Sequence, residues 1–529
     1  MSAIAPQTTF HEQTTQGRIA AGHPKTAAAG AEMLRLGGNV FDAVVAAVLT
    51  ACVAESTLTS LGGGGFLLAH TAQGEDILFD FFTQTPRVKK DPTQVNFYPV
   101  RVDFGSAAQE FHIGLGSIAV PGTCGGLFHV HRRLGRLPFR IVAEPAIHFA
   151  KTGAPITEFQ AFCFRILQPI MLASPEMQQI CAPHGKLLQP GEIMAIPAMA
   201  DTLSYLVEQG PRAFYEGEIA QQIVQDCETQ GGYLTLEDLR HYQVIERSPL
   251  CTTYRGNQLL TNPPPSSGGT LIAFALKLLE QVDVRGLGFG STAHLRLLAN
   301  VMRLTNAARA DGYDAQLYEA GVSDRFLSPE HLNHYAQNLT LPNLPLNKWG
   351  STTHISAIDA EGNAASVTSS NGEGSSYVIP NTGIMLNNML GEADLHPGGF
   401  HQWQPDVRIS SMMAPTLVLR DRRPEIVLGS GGSNRIRTAI LQVISNILDF
   451  EMPVEEAVNS PRVHWENQVF NLEPGFLGLE IDRSQFPFDQ EVIFWDAPNM
   501  FFGGVHTVLQ DAAGNITGSG DQRRSGAIA

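Results

Sequence analysis

The sequence predicts a layered α+β fold, and three observations carry that prediction. Residues 1–351 are dominated by Ala- and Leu-rich segments with helical spacing, residues 352–529 by short alternating runs, and strand candidates occur in both parts. Amphipathic helices need a sheet to cover, so strands on both sides of residue 352 imply one shared core.

In chain order, Thr26–Leu36 reads as a helix stopped by Gly37-Gly38, and Val40–Ala54 as a second helix, apolar apart from Asp42 and Thr50. Strands are expected at Gly65–His70 and Asp76–Asp80. Helical spacing returns at Gly125–Leu134, Met199–Gln209, Gly217–Gln230, Thr270–Glu280 and Thr292–Asp311. Past residue 351, Thr353–Asp359 and Asn363–Thr368 read as a hairpin turning near Gly362-Asn363. Strands at Thr416–Leu419 and Glu425–Leu428 follow, then a strong helix at Asn434–Leu448 and a strand at His506–Asp511.

The chain has 529 residues, with 35 Lys and Arg against 51 Asp and Glu, a formal charge of −16. Such a balance favours solubility and argues against nucleic-acid binding. No linker, repeat or low-complexity tract divides the chain, so a single interlocked unit is expected. No apolar run reaches the length of a membrane span, and Met1 to Gly17 lacks an apolar signal core, so a cytoplasmic protein without membrane contact is expected. The six cysteines, Cys52, Cys124, Cys163, Cys181, Cys227 and Cys251, form no C-x-x-C pair and read as buried thiols of a reducing compartment. His129 and His131 would make a metal pair only on a strand, whereas their segment reads as helix; no metal and no cofactor are expected.

The segment Gly350-Ser351-Thr352-Thr353-His354 places a hydroxyl at the head of the predicted hairpin. Threonine is a poor nucleophile unless a base stands beside it. A cut between Ser351 and Thr352 would create that base as the new α-amine, whose ordinary pKa of about 7.7–8.0 leaves a neutral fraction near pH 7. Taken alone, the same three residues are simply a β-prone strand start.

Other blocks change the weighing. They are Gly17–Ala21, Ala27–Leu34, Gly37–Val44, Leu61–Phe66, Pro263–Gly269, Gly383–Asn388, Ser410–Met412 and Gly429–Ser433. In this order and spacing, from about Gly17 to about Ala527, the chain resembles the γ-glutamyltranspeptidase family of N-terminal-nucleophile hydrolases. The resemblance implies a four-layer αββα sandwich and self-cleavage into a large piece, 1–351, and a small piece, 352–529, interlocked in one core. It implies Thr352 as nucleophile and Ser370 as the second hydroxyl, where the family commonly has Thr. Gly431 and Gly432 would bind the oxyanion through their N–H groups; glycine lets the backbone come close and adopt positive φ. A phosphate-cradle reading of Gly429–Gly432 fails for want of a following Lys-Ser/Thr.

On the substrate side the resemblance implies that Ser410 and Ser411 bind an acyl carboxylate and that Glu392, with Asp394 nearby, meets an amine. Asn371 stands for an amine-binding asparagine. The chain departs from the pattern at Asp80-Phe81-Phe82, where Phe82 replaces an arginine and removes a bidentate clamp; Arg87 is a substitute charge to be tested by geometry. The short Gly391–Ile409 stretch suggests an open site that favours hydrolysis over transfer. The expected partners are a small-molecule amide and the chain's own two pieces, with a higher homo-oligomer left open.

Three activities remain: a γ-glutamyl hydrolase or transpeptidase acting on glutathione-like amides, an amidohydrolase of the same scaffold with another acyl group (cephalosporin or oxamate type), and an uncleaved silent homologue. His354, Asp42 and Asp521–Gly526 read as structural, and Pro263–Gly269 as a rigid turn before a helix.

Overall fold

The computed structural model describes residues 15–103, 108–337, 352–396, 398–466, 468–476 and 491–529. Two antiparallel sheets stack at its centre. The first runs β13-β1-β7-β8-β2-β3-β4, built from β1 (Gly17–Ala21), β2 (Gly64–His70), β3 (Asp76–Phe81), β4 (Ile245–Arg247), β7 (Thr353–Asp359), β8 (Ala364–Ser370) and β13 (Ala527–Ile528). The second runs β12-β11-β10-β9-β6-β5, from β5 (Leu250–Tyr254), β6 (Asn257–Thr261), β9 (Thr416–Arg420), β10 (Arg423–Gly431), β11 (Gly504–Gln510) and β12 (Ile516–Ser519).

Helices cover both outer faces. α1 (Pro24–Arg35), α2 (Val40–Ala54) and α4 (Phe139–Thr152) share a core with Ile19, Leu67, Phe79, Ile355, Ala357 and Val367 of the first sheet; α3 (Thr123–Leu134) and α5 (Pro197–Gln209) join them. α6 (Gly268–Leu279), α7 (Thr292–Ala308) and α8 (Arg435–Leu448) pack on the second sheet, in a core that also takes Phe66, Leu68 and Ile358 from the first. The order helix, sheet, sheet, helix is the αββα sandwich expected.

Strand alternation explains the two cores. Side chains of β7 alternate, so Ile355 and Ala357 face the helices while His354, Ser356 and Ile358 face the second sheet. Thr352, immediately before β7, belongs to that inter-sheet face. Helix α2 is buried along its whole length, which its nearly uninterrupted apolar sequence requires. Asn39 caps it and Asp42 closes the capping box; Asp42 also accepts the Arg136 and Leu137 N–H groups, so its role is structural as expected.

The two parts of the chain alternate within the first sheet. β1 lies between β13 and β7, and β8 pairs with β2. A cut before Thr352 would therefore leave both pieces held by the same ladders.

Several elements differ from expectation. Helix α4 carries Pro145 and was hidden by it. Strands β4 and β5 are short and partly exposed, and β6 is short and almost wholly buried, so their alternation is weak. The helix expected to reach Asp311 ends as α7 at Ala308 and continues as a π-turn, Arg309–Tyr313. Five cysteines are buried thiols, but Cys251 is exposed on the edge strand β5, correcting its assignment as buried. His129 and His131 lie on α3 and bond to Glu246 and to the Leu137 carbonyl, and no metal-binding group exists among the described residues. No described helix is long and apolar enough to cross a membrane.

Candidate active site

The β7–β8 hairpin pairs Thr353 with Ser369 and His354 with Thr368. Continuing that register sets Thr352 opposite Ser370, with their hydroxyl oxygens 3.5 Å apart. Ser370 Oγ also accepts the Gly372 N–H at 3.0 Å, which fixes its direction. Thr352 is 6 % exposed, so only a small window connects it to solvent.

The end of β10 closes on Thr352 from the second sheet. A Cβ added to Gly431 would lie 2.1 Å from the Thr352 carbonyl oxygen, so only glycine permits this approach. Gly432 follows with φ of +128°, a conformation that a side chain would strain. The glycine pair is thus placed by sheet packing beside the candidate nucleophile. Ser351, the other side of the proposed cut, lies outside the described residues.

Two buried groups, Arg524 and Glu55, hold the threonine pair. Arg524 Nη1 donates to the Thr352 carbonyl at 3.1 Å. The Thr353 hydroxyl donates to Glu55 Oε2 at 2.7 Å, and the Thr26 hydroxyl to Glu55 Oε1 at 2.7 Å. Burial pushes the Glu55 carboxyl up, against the pull of these two hydroxyls. His354 bonds to the Thr368 and Ser356 hydroxyls, and burial, with the nearby His506, holds it well below the usual histidine range. A neutral, doubly bonded imidazole matches the structural role read from sequence.

Thr352 and Ser370 line a common cleft. Phe82, Glu392, Ser410 and Ser411 line the same cleft, together with Met389 and Asp394. Phe82 is buried and stacks on Phe66 at 5.3 Å. Asn371 is not among the cleft-lining residues, and its side-chain amide donates to the Met385 and Leu386 carbonyls. Arg87 is likewise elsewhere, ion-paired with Asp406 at 2.9 Å.

Residues outside the expected set complete the site. Ser267 lines the cleft, and its N–H donates to the Ser411 carbonyl at 2.8 Å, so the Pro263–Gly269 turn supports the site directly. Arg309 lines it from the π-turn after α7. Arg524 was assigned to a structural tail; nothing in local sequence could link it to a threonine 172 positions away.

Glu392 has one carboxylate oxygen buried without a hydrogen-bond partner among the described residues. Burial, then the charges of Glu373 and Asp394, raise its carboxyl well above the usual range. Folding therefore binds a proton here, and the charged form becomes a cost as pH rises above the unfolded value of about 4.3. Glu392→Gln is expected to leave the melting temperature unchanged near pH 4 and to raise it above wild type at pH 8. A melting curve lowered at pH 8 would contradict this.

A family model described as Gamma-glutamyltranspeptidase matches residues 26–529. The chain is 30% identical to the Acylase ACY 1 proenzyme of Pseudomonas sp. (strain V22) over 522 residues, covering 97% of this chain and 93% of that protein. It is 29% identical to the Glutathione hydrolase proenzyme of Escherichia coli (strain K12), covering 97% and 92% respectively. Among solved structures, cephalosporin acylase from Bacillus halodurans superposes with a TM-score of 0.85 at 24% identity, covering 100% of this chain and 98% of that one, a likeness of fold.

Proposed function

The chain belongs to the gamma-glutamyltranspeptidase family of N-terminal-nucleophile hydrolases, and from that premise we propose that it matures by cutting itself before Thr352 and then hydrolyses small-molecule amides, γ-glutamyl amides such as glutathione among them. One observation supports this most: the Thr352 and Ser370 hydroxyls meet in one cleft, and Gly431 packs against the Thr352 backbone.

In maturation the Thr352 oxygen attacks the Ser351 carbonyl carbon, and the peptide C–N bond breaks to leave an ester and a free Thr352 amine. Water hydrolyses the ester, giving pieces 1–351 and 352–529. In turnover the Thr352 oxygen attacks the substrate carbonyl carbon while its proton passes to the α-amine. The tetrahedral oxyanion is met by the N–H groups at Gly431-Gly432, each such donor being worth about 2.7–4 kcal/mol. The C–N bond then breaks, the amine hands its proton to the leaving nitrogen, and water releases the acyl group from the ester. Ser370 steadies the nucleophile oxygen. The short Gly391–Ile409 stretch favours water over an amine acceptor in that last step.

A second reading, an acylase for a different acyl group, is favoured by Phe82, which lines the cleft with an apolar ring. A panel of γ-glutamyl, glutaryl, oxamic and phenylacetyl amides, assayed with and without glycylglycine, separates the two. The first reading expects γ-glutamyl turnover that the acceptor raises less than about twofold. Turnover confined to the neutral phenylacetyl amide would contradict it.

A further inference from the structure

We propose that Arg309 is the residue that selects the acyl group, anchoring a free carboxylate at the end of the acyl chain away from the scissile amide. The proposal rests on the reading of this cleft as the acyl site and goes beyond it by naming the anchor and the substrate class.

Among the described residues lining the cleft, Arg309 is the one lysine or arginine. It stands at the first position of the π-turn that extends α7, and the turn brings Asp314 back against it. Both Asp314 oxygens accept from Arg309 Nε, at 3.0 and 2.9 Å. Asn434 Oδ1 lies 3.5 Å from Nη1, a long contact, and no hydrogen bond engages Nη2 among the described residues. Asp314 therefore grips the guanidinium by its Nε edge and leaves its terminal donors lightly used. A guanidinium fixed in this way loses little freedom on binding, and its fork matches a carboxylate.

The neighbours supply complementary donors. Ser411 Oγ accepts the Met413 N–H at 3.0 Å, which leaves its own proton to give. The Ser410 hydroxyl has no hydrogen bond among the described residues and faces the same cleft. Phe82, Met412 and Met413 belong to the apolar part of the lining, where a charged hydrogen bond gains strength from the exclusion of water. One guanidinium, two hydroxyl donors and an apolar wall make a carboxylate site reached from Thr352 along an acyl chain. The plainer account, that Arg309 only balances Asp394 and Glu392 across the cleft, predicts no discrimination between ligands.

Calorimetric titration of the protein as isolated with glutarate and with valerate tests the proposal. The two ligands have five carbons each and differ by one terminal carboxylate. Wild type should bind glutarate at least about tenfold more tightly than valerate, the gain expected of one charged hydrogen-bonding contact. Arg309→Gln should weaken glutarate by at least about tenfold and leave valerate within about twofold; Arg309→Lys, which keeps the charge and loses the fork, should fall between. No preference in wild type, or an undiminished preference in Arg309→Gln or, should that variant not fold, in Arg309→Lys, would overturn the assignment. The readout needs no turnover, so a protein that prefers glutarate yet cleaves no amide refutes the hydrolase reading and leaves this one standing.

Discussion

Thr352→Ala is expected to leave the chain uncut and to lower amide hydrolysis by at least about 10⁴-fold, the scale seen when a nucleophile is removed from a catalytic group that acts as a unit. The variant should still fold. Thr352 lies just outside the β7 ladder, and among the described residues its hydroxyl makes one hydrogen bond, at 3.5 Å to Ser370. Thr352→Ser keeps the oxygen and the α-amine, and should cut itself and turn over more slowly. Chromatographic separation of the pieces and a rate assay on each variant check both statements. An alanine variant that is cut on schedule would remove Thr352 from the maturation step.

Asp521→Asn is expected to cost about 3–5 kcal/mol of stability, the scale for breaking a buried ion pair from one side. Asp521 is fully buried against Arg462 Nη2 at 2.7 Å and Arg523 Nη1 at 3.2 Å, and accepts the Val505 N–H at 2.8 Å. Burial alone would raise its carboxyl, but the two guanidinium charges outweigh that and hold it well below the usual range. The contribution is thus present above the unfolded value of about 3.9 and is lost as pH falls toward the folded one. Wild type and variant should converge in strong acid. Asp521 also accepts the Arg523 N–H and, through its carbonyl, the Arg524 N–H, so it shapes the turn that carries Arg524 to the Thr352 carbonyl. Maturation should therefore slow along with the loss of stability. Denaturant unfolding at pH 7 and pH 3 measures the first effect, and a processing time course the second.

The residues legible from sequence are those whose position follows from local periodicity. Thr352 was legible at the head of the alternating run Thr353–Asp359; Ser370 came from the family pattern, and the hairpin register sets the two opposite each other. Gly431 and Gly432 came from the family pattern, and the close approach of Gly431 to the Thr352 carbonyl shows why a side chain is not tolerated there. Glu392, Ser410, Ser411 and Phe82 came from the family pattern, and the fold gathers them in one cleft. Arg309, Ser267 and Arg524 were not legible in those roles, because each reaches the site through the stacking of separate layers. Arg309 depends further on a π-turn that helical periodicity reads as ordinary helix. Asn371 shows the converse: it was read as replacing the family's amine-binding asparagine, yet its amide turns to the Met385 and Leu386 carbonyls.

The central claim is a covalent one, and intact mass spectrometry of freshly purified wild-type protein, followed by N-terminal sequencing of each species, tests it most directly. The account predicts two species, one ending at Ser351 and the other beginning with Thr352, accumulating in purified protein without added protease. A single intact 529-residue chain that nevertheless hydrolyses amides would contradict it, because Thr352 would then act without the α-amine assigned as its base.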